Sequence, residues 1–126
     1  MSFDVFFQGF IGAEPVPGGG DLMRAVLQPF VTREEPGHHF MFVEAGDGTA
    51  DVHLHNDGML ANRISGDAPW DLLVQGARAA GWVIMPVGCP VCLTDEGQRS
   101  DLPESLQDEV VLVSSGMELL QAVRSA

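Results

Sequence analysis

Alternation of apolar and polar residues predicts most of the strands. In FDVFFQ (3–8), Phe3, Val5 and Phe7 fall on one face of a β-strand, with Asp4, Phe6 and Gln8 on the other. HHFMFVEA (38–45) reads as a second strand, followed by the turn GDGT (46–49). ADVHLH (50–55) alternates cleanly, NDG (56–58) turns the chain again, and MLANRIS (59–65) completes a meander. Asp-Gly and Asn-Asp-Gly supply the positive φ that tight hairpins need. WVIMPV (82–87) and VVLVS (110–114) are apolar on both faces, as strands covered on both sides are.

Helical spacing occurs three times. DLMRAVLQ (21–28) puts Leu22, Met23, Val26 and Leu27 in one stripe, with Asp21 as its predicted N-cap and Pro29 as its stop. The preceding GAEPVPGGG reads as a loop. Between Gly66 and Ala80, residues Trp70, Leu73, Val74 and Ala77 repeat at i, i+3, i+4, i+7. There Asp67 is placed to cap, Pro69 lies in the first turn and Gly81 closes the helix. Ser115-Gly-Met-Glu118 has the form of a capping box opening MELLQAVRS. Residues 88–108 read as irregular, with short helical turns around DEGQR and PESLQ. The predicted order is β-α-β-β-β-α-β-(short helices)-β-α, an α+β two-layer sandwich with a mixed sheet in one domain spanning 1–126.

That architecture leaves a surplus of apolar residues. Phe6 and Phe7, like Phe40, Met41, Phe42 and Val43, are bulky on both faces of their strands, whereas one helical layer covers one face. A second copy of the chain, a ligand cleft, or the long loop and last helix of the same chain would cover the other.

Charge narrows the partners. The 126 residues are 45% hydrophobic, as a folded protein requires, yet carry 18 acids against 6 arginines and no lysine, for a net charge of −12. This field repels phosphate backbones and anionic membrane surfaces, so neither nucleic acid nor membrane is an expected partner. It steers basic proteins toward the chain. No apolar run approaches the roughly 20 residues of a membrane helix. MSFDVFFQGF also lacks the basic start and cleavage site of a signal peptide, so the cytoplasm is the expected location.

One motif could carry chemistry, Cys89-Pro-Val-Cys92. A thioredoxin-type redox pair needs its first cysteine at a helix N-terminus, but Thr94 is the better cap and would start a helix after both thiols. A zinc site needs four ligands, and the remaining candidates are His38, His39, His53 and His55. The period of two puts Asp51, His53 and His55 on one strand face, about 6.5–7 Å apart. A Cys89/Cys92–His53/His55 centre therefore assembles only if strand 82–87 lies beside strand 50–55. The same residues are the candidates for a Cys–His nucleophile. PVPGGGD lacks the Lys-Ser/Thr of a phosphate loop, and the pairs Glu34-Glu35, Asp95-Glu96 and Asp108-Glu109 read as solvated. No catalytic residue or cofactor is assigned.

FDVFFQGF, MPVGCPVCLTDEGQRSDLPESL and VVLVSSGMELLQAV resemble stretches of a family of small uncharacterised actinobacterial proteins, and the likeness runs nearly end to end. It includes no catalytic motif and implies no activity. In size and acidity the chain also resembles immunity proteins, which bind and neutralise toxin enzymes; that likeness implies a basic protein partner. The expectation is thus a cytoplasmic, non-enzymatic, homodimeric protein that binds a partner. The alternatives are a metal- or thiol-dependent protein built on Cys89, Cys92, His53 and His55, and a small-molecule binder on an aromatic face of Phe3, Phe6, Phe7, Phe40 and Phe42.

Overall fold

The computed structural model describes residues 3–125. In chain order its elements are β1 (Val5–Ile11), β2 (Glu14–Val16), α1 (Gly20–Leu27), β3 (Val31–Glu35), β4 (Phe40–Ala45), β5 (Gly48–Leu54) and β6 (Gly58–Asn62). There follow α2 (Ala68–Ala80), β7 (Val83–Pro86), β8 (Val91–Leu93), β9 (Val110–Leu112) and α3 (Gly116–Arg124). Short 3-10 turns span Glu96–Asp101 and Glu104–Leu106, where helical turns were expected. The strands form one sheet in the order β3-β4-β5-β6-β1-β7-β8-β9, with β2 paired to the end of β1. Every pair is antiparallel except β8–β9, so the sheet is mixed and the fold is α+β.

The period-two pattern decides which face meets the helices. Val5 and Phe7 of β1, Met41 and Val43 of β4, and Val52 of β5 are buried in one cluster with Met23, Leu27, Trp70, Leu73 and Leu119 from the three helices. Close approach of helix to helix depends on small residues. A Cβ on Gly76 would collide with Met23 of α1, and one on Gly116 with the backbone of Asp71. The opposite face has a smaller core at one end only. Val83, Val91 and Leu93 bury Leu102 from the segment that links β8 to β9, and Phe10, Met85, Leu106 and Val110 pack around them. The long loop therefore covers the β7–β9 end of that face.

Several local expectations change. The stretch after β1 is a hairpin to β2, and residues 31–35 are a strand held to β4 across a bulge between Val31 and Arg33. Cys92 belongs to β8, a strand within the stretch read as irregular. The cap of α1 is Gly19 at φ 98°, in the left-handed region that glycine adopts readily, so Asp21 lies inside the first turn, and Leu22 points outward. Helix α2 is capped from a distance: the Asp47 carboxylate, in the β4–β5 turn, accepts from the Asp67 and Ala68 N–H groups at 3.0–3.1 Å. Ser115 does accept from the Glu118 N–H at 3.2 Å, but Glu118 returns its bond to Ser114.

Candidate functional site

The uncovered face is organised by strand register. Phe40 pairs with His53, His53 with Leu60, Leu60 with Phe6, and Phe6 with Met85. These five side chains therefore form one row across β4, β5, β6, β1 and β7, roughly 19 Å long at the usual strand spacing. Phe6, fourth in the row, is 44% exposed, high for a phenylalanine in a central strand. Phe3 and Phe7 are not part of it, since both pack toward the helices. The expected five-phenylalanine face is thus divided between two layers, with Phe6, Phe40 and Phe42 on the open one.

One long side of the row is charged. Arg33, Phe42, Asp51 and Asn62 lie in register beside it. The Arg33 guanidinium carbon sits 5.4 Å from the Phe40 ring centroid and 5.8 Å from that of Phe42, in the range of a cation–π contact. Arg63 approaches Asp51 at 3.9 Å, and the Asn62 amide donates to Asp4 at 3.2 Å. On the other side, Gln8, His55 and Gly58 border a depression of about 470 Å³ floored by Phe6, Leu60 and Met85. The Gln8 amide is occupied by the carbonyls of Gly9 and Val16. His53 holds its ring 5.3 Å from Phe40, and its Nδ1 is buried without a hydrogen-bond partner.

The sheet order separates the residues proposed for chemistry. β6 and β1 lie between β5 and β7, so strand 82–87 is not beside strand 50–55. Cys92 pairs with Ile84 and faces the helices, whereas His53 is in the open-face row. The Cys89/Cys92–His53/His55 centre therefore does not form within one chain; His53 lies against Phe40, and His55 stacks on His39 with ring centroids 4.3 Å apart. Among the described residues no group of three or more His, Cys, Asp or Glu is gathered as metal ligands.

Both cysteines are free thiols. Cys89 lies in the turn after β7, its Sγ facing the carbonyls of Val87 at 3.6 Å and Val123 at 3.9 Å; Cys92 Sγ faces Pro90 O at 3.5 Å. Burial pushes the Cys89 thiol up, and burial together with the neighbouring Cys89 pushes Cys92 up to about 12. A nucleophilic or redox-active cysteine needs the opposite shift, toward the thiolate at neutral pH. No helix begins at either residue, so no helix dipole favours that ionisation.

Compared with known proteins, the chain matches no family model, no curated protein and no solved structure. Its fold and site class are those of a two-layer α+β protein with one sheet face partly open. Alternation set His53 opposite Val52 and Leu54, and parted Phe6 from Phe7 and Phe40 and Phe42 from Met41 and Val43, without saying which phenylalanines stay outside the core. Their alignment into one row required the strand register, which no local pattern carries.

Proposed function

We propose that the chain is a non-enzymatic, cytoplasmic protein that works by holding a basic protein partner against the open face of its sheet, in the manner of an immunity protein. The observation that carries this reading is the row Phe40–His53–Leu60–Phe6–Met85, in which no side chain is fully buried, Phe6 is 44% exposed and only Met85 meets the loop-covered end. Contiguous apolar surface of this kind, rimmed by polar groups, marks an interaction site. The net charge of −12 favours a basic partner over a second copy, because two such chains repel at long range. The depression beside Phe6 is open to solvent, and its amide side chain is already satisfied within the chain, which favours a protein surface over a small molecule.

Site-specific photocrosslinking in the native host tests this. A benzophenone amino acid in place of Phe6 is expected to capture a basic protein, and the same group in place of Leu22, exposed on α1, is not. Adding Leu60→Glu to the Phe6 crosslinker should abolish capture. A crosslink to a second copy alone would make the face a homodimer interface and overturn the basic-partner reading. No crosslink at Phe6 would remove the face from consideration.

A further inference from the structure

A different surface lies at the end of the sheet. β3, one terminal strand, is blunted by a bulge and by Arg33, Glu34 and Glu35; β2, a side strand, contains Pro15. Both are devices that discourage a further strand from pairing. β9, the other terminal strand, is Val110-Val111-Leu112, with no charge, no proline and no bulge.

Its backbone is half used. Val91 N–H bonds to Glu109 O at 3.0 Å and Val113 N–H to Leu93 O at 2.8 Å, so residues 109, 111 and 113 turn their polar groups to β8. Alternation then directs the N–H and C=O of Val110 and Leu112 away from the sheet, and among the described residues β9 pairs with no strand but β8. Beside this edge a groove of about 520 Å³ runs between β9 and α3. Val111, Leu112, Gln121 and Ala122 line it together with Glu109 and Glu118, whose Oε1 also accepts from Ser114, and no arginine is among the lining residues. Leu112 is 52% exposed, and alternation with Val111, which packs on the helix-side core, turns its side chain to the opposite face while the residue still borders the groove.

We infer that the β9 edge takes an extended basic segment of a partner protein as an added strand. Two donors and two acceptors on Val110 and Leu112 fix the backbone of the occupant as extended. The strand period then sorts its side chains: basic ones enter the groove toward Glu109 and Glu118, and apolar ones lie against Leu112. A second copy of β9 fits less well, because residues 108–114 (DEVVLVS) offer no basic side chain to Glu109 and Glu118. The surface is separate from the Phe6 row, and its test is read at different amides.

The probe is a capped seven-residue peptide of alternating arginine and valine, titrated into isotopically labelled full-length protein and followed by NMR hydrogen exchange. The Val110 and Leu112 amides, which β8 leaves unused in the free chain, should exchange roughly tenfold or more slowly when the peptide is bound. A peptide of alternating glutamate and valine should leave them unchanged. Leu112→Pro removes an outward N–H that β8 does not use, so the ladder survives while peptide protection at Val110 is lost. Should that variant fail to fold, Glu109→Arg serves, since only its carbonyl is needed by β8; it should weaken peptide binding at least about fivefold. Unchanged exchange at Val110 and Leu112 with the arginine peptide, or protection confined to the open-face strands, would overturn the inference.

Discussion

In β8 the Cys92 side chain turns toward the helices and is buried there, while Cys89 sits half-buried in the turn before it. The expected chemistry follows from burial. A thiol-alkylating reagent at pH 8 should modify Cys89 slowly and leave Cys92 untouched until denaturant is added, as peptide mass spectrometry would show; faster labelling of Cys92 would contradict its placement. The raised Cys92 pKa also has a sign for stability. Its contribution is fully present below the ordinary thiol value of 9.0 and is lost as pH rises from there toward about 12. The wild type should therefore lose stability over that window, by at most about 1.4 kcal/mol per pH unit, and Cys92→Val should flatten the loss. Asp47 runs the other way. Bonds from the Ala68 and Asp67 N–H groups hold its carboxyl below the ordinary 3.8, so its contribution is present above that value and lost as pH falls through the lowered one. Asp47→Ala should lower Tm by a few degrees at pH 7, and the gap from wild type should narrow as pH falls below 3.8.

Among the elements, those with several turns or a clean alternation were legible: α2, β4 and β5 needed only their own residues. β2, β3 and β8 were not, for three different reasons. β2 carries Pro15, β3 reads Val-Thr-Arg-Glu-Glu, and β8 has three residues, too few to show a period. Each is a strand because a longer neighbour supplies the ladder, so the cause lies in tertiary pairing. The candidate site divides in the same way. Which side chains share a strand face is a local property; that His53 meets Phe40 and Leu60, and is far from Cys92, is a property of the sheet order. Leu102 shows how a short apolar signal in a loop can matter. It is 1% exposed and fastens the 94–108 segment under Val83, Val91 and Leu93. Leu102→Ala should cost about 2–4 kcal/mol in urea unfolding, and a cost below roughly 0.5 kcal/mol would mean that the segment is not anchored there.

For the whole molecule, charge acts on the free chain and on a complex with opposite sign. Arg24, Arg33, Arg63 and Arg99 each pair with an acid within the chain, and the net charge is still −12. Like charges on a folded surface repel one another more than in the expanded unfolded chain, so screening favours the fold. Raising salt from about 0.01 M to 0.1 M shortens the Debye length from about 30 Å to about 10 Å, and Tm of the free chain should rise by a few degrees in a calorimetric scan. A basic partner replaces that repulsion by attraction, which the same salt weakens. The complex captured through Phe6 should therefore loosen at least about tenfold between 0.05 M and 0.5 M salt, chiefly through slower association. The pair of measurements separates the two terms that give the open face its affinity. If salt stabilises the free chain and leaves the complex unchanged, the apolar row alone holds the partner, and the acidic surface serves solubility. If both respond with opposite signs, the charge selects the partner and the row retains it.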